Sequence, residues 1–312
     1  MTKFLTEENV NNLLNMDDAL DSLEEIFAAS SEGKIINLPR KRIDIEGSNF
    51  NFMAASWEEK GIIGYKSYVA GSKGLSFHVL IYSLEDNQLL TMIEANRLGQ
   101  LRTGAASGVA TKYLSGKDSI DLGVYGSGFQ AETQIEAISR VKNIKSCVVY
   151  SRSSEKREKF CEKMTDKLGF SLQPTDDPQE CAVDKDVIVT VTTSAEPVLM
   201  GDWVSSGTHI NAAGSNHALK KEIDLKVVEK SDLIVVDDLN QAKTECGDLI
   251  QSGDDFDWSN VLLLEDIVSG KKKGSNEGIS LFESQGVALE DIAIGFRLFQ
   301  KSNKENVGTE LN

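Results

Sequence analysis

Cysteine is scarce, with four residues in 312, and Cys147, Cys161, Cys181 and Cys246 stand without CxxC spacing. That argues against a disulfide framework and a thiolate zinc site, and the four read as free thiols. Histidine is scarcer, and His78, His209 and His217 make no metal-ligand cluster, so no metal is expected. Basic residues are outnumbered, 33 Lys and Arg against 49 Asp and Glu, which leaves a formal net charge of −16. Nucleic-acid binders gather Lys and Arg against phosphate, so that class of partner is not expected. The run Lys271-Lys272-Lys273 reads as a solvated turn in so acidic a chain. No apolar run approaches the roughly 18 residues that would cross a bilayer. The start, Met1 to Glu8, turns acidic at once and lacks the apolar centre of a signal peptide, so the expected location is the cytoplasm.

What is present is ordinary globular material, 40% hydrophobic and 26% charged, in a length that suggests about two domains. Met16, Leu20, Leu23 and Phe27 recur at helical spacing, which predicts an amphipathic helix over residues 16–30 ended by Gly33. Strand-like alternation follows: Ile43 and Ile45 lead through Gly47-Ser48 to Phe50 and Phe52. Gly61 to Val69 is extended, and Phe77 to Leu84 turns back into Leu89 to Glu94. Hairpins in series predict a small antiparallel sheet with helices to one side. Residues 96–115 are rich in Gly, Ala and Ser at helical spacing, which suits close packing or close approach of a ligand.

From Asp118 strands and helices alternate. Ile120–Tyr125, Cys147–Tyr150, Val187–Thr192, His209–Ala213 and Leu233–Asp237 are β-runs. Gln130–Val141, Glu155–Leu168 and Leu219–Lys230 read as helices. That alternation is the mark of a parallel sheet covered on both faces. Leu289, Ile292, Ala293, Phe296 and Phe299 mark a last amphipathic helix, and the polar final ten residues read as frayed.

Gly126-Ser127-Gly128-Phe129-Gln130-Ala131 fits the G-x-G-x-x-G/A pattern between a strand and a helix. There the first glycine permits the turn, the second lets a diphosphate touch the backbone, and the helix N-terminus offers N–H groups to it. Thr192, ending a neighbouring β-run, is a further candidate coenzyme contact. A coenzyme without a 2′-phosphate usually meets an acidic residue after the second strand. Here Ser151-Arg152-Ser153-Ser154 follows Tyr150. Without a carboxylate there, and with Arg152 and serine hydroxyls to pair a 2′-phosphate, NADP(H) is preferred and NAD(H) remains possible. Ser107, Ser127 and Ser215 lack the G-x-S-x-G setting of a hydrolase. His209 reads as a core histidine, while His217 reads equally as a proton relay or a rim residue.

Five stretches together resemble the ornithine cyclodeaminase/μ-crystallin family: RTGAASGVATKYL at 102–114, LGVYGSGFQAETQIEAI at 122–138, GTHINAAGSN at 207–216, VVDDLNQA at 235–242 and FESQGVALEDIAIG at 282–295. The resemblance implies a Rossmann-type parallel-sheet domain plus a discontinuous α+β domain that binds substrate and forms a homodimer. The boundaries drawn are 1–116 with 296–312 for the latter and 117–295 for the dinucleotide-binding domain. It also implies that Lys66 is the active-site lysine and Arg102 the substrate-carboxylate arginine. Arg42, within Pro39-Arg40-Lys41-Arg42, matches an upstream basic ligand, and Asn51 falls where cyclodeaminases carry a glutamate near the substrate amine. Asn216 stands where ornithine cyclodeaminase has an aspartate, and an amide cannot act as a general base.

The expected catalytic set is therefore Lys66, Arg102 and Asn216, with Arg42 and Asn51 beside the substrate. The coenzyme falls to Gly126, Ser127, Gly128, Phe129, Gln130, Ser151, Arg152, Ser153, Thr192 and Asn216. The expected activity is NADP(H)-preferring reduction of a small cyclic imino acid such as pyrroline-2-carboxylate, or reductive amination of a small 2-keto acid. The alternatives are an ornithine cyclodeaminase with tightly bound NAD, a protein that holds NADPH and a small ligand without turnover, and, more distantly, a methyltransferase.

Overall fold

The computed structural model describes residues 1–72, 74–274 and 277–311. It divides into two units, Met1–Arg102 with Gly286–Asn312, and Thr103–Gln285. These boundaries differ from 116/117 and 295/296. The apolar periodicity of residues 288–299 belongs to one unbroken helix, Ala288–Glu305, which packs whole on the first unit's strands and second helix.

In the first unit, strand β1 (Thr2–Leu5) leads to helices α1 (Glu7–Leu13) and α2 (Met16–Ser31). Thr6 and Asn15 cap them by accepting the backbone N–H groups of Asn9 and Asp18. Strands β2 (Ile35–Ile45), β3 (Ser48–Trp57), β4 (Ile62–Gly71), β5 (Gly74–Ser83) and β6 (Leu89–Glu94) form an antiparallel meander. β1 adds parallel to β6, and the last strand, Thr309–Leu311, pairs with β1, so the polar tail is not frayed as the sequence suggested.

Alternation gives this sheet two unlike faces. Asn51, Met53, Ala55, Lys66, Val79 and Ile81 share the face toward the C-terminal helix and α2. Ile43, Phe50, Phe52, Ile63 and Val69 share the other and remain substantially exposed. In β2 the register slips between Leu38 and Lys41, where Pro39 and Arg40 together oppose Met53. This bulge turns Arg40 onto the inner face, while Leu38 just before it stays outside.

Helix α3 (Asn96–Leu114) carries the chain out of the first unit. The second is built on strands β7 (Ser119–Tyr125), β8 (Asn143–Tyr150), β9 (Leu172–Thr175), β10 (Val187–Thr190), β11 (His209–Ala212), β12 (Ser231–Val236), β13 (Leu262–Leu263) and β14 (Ile279–Glu283). All pair in parallel, in the order β9-β8-β7-β10-β11-β14-β12-β13. The first five repeat the start of the doubly wound order 3-2-1-4-5-6, while β14, the last strand of this unit in sequence, takes the sixth place; the direction reverses between β7 and β10.

Helices α4 (Phe129–Val141) and α5 (Ser154–Leu168) cover one face, burying Ile135, Ile138, Phe160 and Met164 against Leu122, Val124, Val187 and Val189. Helices α6 (Leu225–Lys230), α7 (Leu239–Glu245) and α8 (Gly247–Ile250) contribute to the opposite core with Ile188, Ile210, Val236 and Leu281. A short α9 (Leu264–Val268) follows β13. The helix expected at Leu219–Lys230 starts only at Leu225. Before it, Asp248 accepts the N–H groups of Glu222 and Ile223, and Asp224 caps α6 through Val227.

All four cysteines are buried and unbridged, and burial raises each thiol above its ordinary value. Among the described residues no His, Cys, Asp or Glu group could hold a metal ion, and no helix is long and apolar enough to cross a membrane.

Candidate active site

In the second unit the strand order reverses beside the glycine turn. Gly126 follows β7 at φ +123°, a conformation L side chains rarely adopt, and a Cβ there would lie 2.6 Å from the Val191 carbonyl. Gly128 caps helix α4 without a side chain, and a Cβ there would meet no atom within 4 Å. Open space over a bare helix N-terminus is what a diphosphate requires.

The adjoining cleft holds about 370 Å³ and is lined by Gly126–Gly128, Tyr150–Ser153, Lys156, Val191–Ser194 and Val198. Ser127 and Ser151 join hydroxyls at 2.8 Å across it. Beneath, buried Arg157 donates to the Ser151 carbonyl. Arg152 is exposed at the rim, and Ser153 caps helix α5 by accepting the Lys156 N–H, which leaves its own O–H to donate. The Ser154 hydroxyl is engaged with Glu158 at 2.6 Å. Phe129 is half exposed beside the turn, and the Gln130 Oε1 is buried without a partner among the described residues. Thr192 donates its N–H to Glu222, and its hydroxyl accepts from Ser194. Asn216 lies half-buried after β11, and its amide makes no hydrogen bond among the described residues. Lys156, on the first turn of α5, joins the cleft unannounced, because an exposed helical lysine gives no sequence signal.

In the first unit Lys66 projects from β4 onto the inner face, 2% exposed. Its ammonium donates to Asp291 Oδ1 at 2.8 Å, and Gly99 leaves room for it, since a Cβ there would lie 3.2 Å from Nζ. Arg102 bonds Glu290 at 3.1 Å and stands 3.6 Å from Asp291. Arg40 donates to the Gly286 carbonyl at 2.9 Å. Gly286 itself, at φ +73°, has no space for a Cβ, which would lie 2.1 Å from Arg102 Nη1. Glu290 and Asp291 are fully buried in the first turn of the C-terminal helix, where the helix dipole favours carboxylates.

Three cations (Arg40, Lys66, Arg102) thus gather beside two carboxylates (Glu290, Asp291), with Lys66 and Arg102 in contact with them. Burial lowers the Lys66 ammonium to about 8; Asp291 opposes that shift, while Arg102 and Arg40 add to it.

Arg42 and Asn51 lie one step along the same sheet face. Asn51 is buried, accepts from Arg42 Nε at 2.8 Å and donates to Asn49. Arg40, and not Arg42, is the β2 arginine whose charge bears on Lys66. His209 is buried between Ser280 and Asn211, and burial lowers it to about 4, so it is a neutral core histidine. His217 is exposed, and its ring accepts the Leu219 N–H to close a turn.

A model of the ornithine cyclodeaminase/mu-crystallin family matches residues 1–305. The chain belongs to that family. Within it, an alanine dehydrogenase of Archaeoglobus fulgidus is 33% identical over 336 positions, covering 99% of this chain and 98% of that one. The Delta(1)-pyrroline-2-carboxylate reductase of Thermococcus litoralis, solved with NADH and L-proline, superposes with a TM-score of 0.94 at 32% identity, covering 99% of this chain and 100% of the other. An archaeal alanine dehydrogenase dimer with bound NAD gives 0.93 at 32% identity, covering 100% of this chain and 99% of that one. The parallel-sheet architecture expected for the family is thereby established for this chain.

Proposed function

We propose that this protein is a nicotinamide-dependent oxidoreductase. It reduces the C=N bond of a small cyclic imino acid of the pyrroline-2-carboxylate type, or reductively aminates a small 2-keto acid. The observation that carries this reading is the gathering of three cations, Arg40, Lys66 and Arg102, where Lys66 pairs with Asp291 and Arg102 with Glu290. A substrate carboxylate suits a site where three cations gather, and Arg102 can grip it with two parallel N–H groups. Lys66, its ammonium lowered to about 8 by burial, holds the carboxylate or gives a proton to the substrate nitrogen. The nicotinamide, when bound, supplies the hydride. Asn216, whose amide has no protein partner among the described residues, orients the nicotinamide carboxamide or the substrate nitrogen. With amides at Asn216 and Asn51, no carboxylate base stands at either position, which weighs against cyclodeamination. The identities of the relatives support the same reaction class. The test is a screen of NADPH and NADH against pyrroline-2-carboxylate, piperideine-2-carboxylate and pyruvate with ammonium. Coenzyme consumption with at least one is expected; none with all three contradicts the reading.

NADP(H) is the preferred coenzyme in this proposal. Arg152, Lys156 and the Ser153 hydroxyl at the start of helix α5 surround the place of a 2′-phosphate, and no carboxylate lines the cleft among the described residues. Replacing Ser151 by Asp together with Arg152→Ala should swing the NADPH/NADH ratio of kcat/KM toward NADH on the order of a hundredfold, since two charge-assisted hydrogen bonds are lost and a repulsion added.

The outer face of the first unit's sheet is read as the seat of a homodimer; its cross-strand pair Ile43 and Phe50 stays exposed, as do Phe52 and Val69. A contiguous apolar face of this kind is usual where a second copy docks. Light scattering should give a dimer for the wild type and a monomer for Ile43→Asp/Phe50→Asp.

A further inference from the structure

Glu222 lies outside the cofactor fingerprint and outside the substrate cluster, yet it is 1% exposed among other acidic groups. Its carboxylate accepts two backbone N–H groups: Oε1 takes that of Thr192, just past β10, and Oε2 takes that of Gly214 at 2.9 Å, just past β11. Its carbonyl accepts two more, from Val198 at 2.7 Å and Leu199 at 3.1 Å. Thr192 and Val198 line the proposed coenzyme cleft, and Gly214 begins the segment that carries Asn216. The fit at Gly214 is tight, because a Cβ there would lie 2.3 Å from Glu222 Oε2. Asp248 in turn accepts the Glu222 and Ile223 N–H groups and so fixes the backbone that presents the carboxylate.

We propose that Glu222 is a positioning residue for coenzyme binding, a strap whose carboxylate ties the strand-end segments after β10 and β11 into one cleft wall. The proposal rests on the coenzyme reading above. An ionised carboxylate accepts at both oxygens, whereas a protonated one, or an amide, turns a donor toward one of the two N–H groups and breaks that bond. Burial raises Glu222 to about 7, the Thr192 hydrogen bonds pull it back, and the Asp248 carboxylate pushes it up. The other titratable groups of this acidic cluster are Glu283 and Cys246, both raised well above their ordinary values, and Asp237, whose charge acts on Glu283. Lys221 acts on Asp248 in the opposite sense. The sign is therefore fixed: the strap is complete above pH about 7 and loosens as pH falls through it.

The test compares wild type, Glu222→Gln and Gly214→Ala by two readouts. The first is the dissociation constant of NADPH, and of NADH, across that pH range. The second is amide hydrogen exchange of the coenzyme-free protein. Wild-type affinity should weaken about tenfold on acidification, as loss of one charge-assisted hydrogen bond implies. Glu222→Gln should be about tenfold weaker above pH 7 and lose the pH dependence. Gly214→Ala, with the carboxylate displaced but present, should be weakened similarly. In both variants exchange should quicken at residues 192 and 214 while β7 and β14 stay protected, which separates a local strap from global unfolding. A wild-type pH profile and wild-type protection in Glu222→Gln would overturn the proposal. Wild-type protein that bound neither coenzyme would remove the coenzyme reading, and the strap with it.

Discussion

Arg102→Ala should lower kcat/KM for the imino or keto acid by about 10²–10⁴, with most of the loss in KM. Two charge-assisted hydrogen bonds to a buried carboxylate are worth roughly 1.5–3 kcal/mol each, and about 1.4 kcal/mol is a factor of ten. Coenzyme affinity should stay within about twofold, because none of the cleft residues is touched. Stability should fall as well, since Glu290 is fully buried and loses the guanidinium 3.1 Å away. Breaking one partner of a buried pair costs on the order of 3–5 kcal/mol. Kinetics must therefore be measured well below the variant's Tm. Arg102→Lys separates the two effects: it restores a charge near Glu290 but not the planar fork, so stability should recover more than KM. An unchanged KM in folded Arg102→Ala would end the carboxylate-clamp reading.

The second large effect is expected at Lys66. Its ammonium is held at about 8, with burial the main cause and Arg102 and Arg40 helping against Asp291. As the proton donor it works in its protonated form, so kcat/KM for imine reduction should fall as pH rises through about 8. Lys66→Met should lose on the order of 10²–10⁴ in kcat/KM and lose that limb. For stability the sign is the reverse of that of a lysine whose partner raises its pKa, because burial here outweighs Asp291. A lowered folded value means the folded chain binds fewer protons than the unfolded one between about 8 and 10.5, so Lys66 destabilises below that window and the penalty fades as pH rises through it. A pH–rate profile of Lys66→Met that kept the wild-type limb would assign the proton to another group.

Some of the site was legible because its constraint is local. The demands of Gly126 and Gly128 are set by their own backbone and the flanking strand and helix, so the turn could be read from six residues. The serine-rich end of β8 was readable for the same reason. Lys66 and Arg102 carry no such signature; an isolated lysine on a strand and an arginine on a helix are ordinary, and only the resemblance singled them out. Their partners were missed because Glu290 and Asp291 look like dipole-matching residues of a helix start, and their burial comes from tertiary packing. Arg40 was hidden by the bulge at Pro39, which alternation alone does not reveal. Residues 219–224 have helix-forming composition, yet the Asp248 carboxylate captures the N–H groups a helix would have needed. In the fold, the parallel sheet followed from its apolar runs, whereas the last strand, Thr309–Leu311, is exposed and held by pairing with β1, a long-range contact no local pattern encodes.

The central claim is that a nicotinamide hands hydride to the carbon of a bound imino acid. The most direct measurement uses NADPH deuterated at nicotinamide C4, on the face the enzyme uses, with pyrroline-2-carboxylate, and mass spectrometry of the product. One deuterium at Cα of proline, with matching loss from the coenzyme, is the predicted result. Proline without deuterium from either C4 face, or no proline with any reduced coenzyme while ornithine releases ammonia, would contradict it.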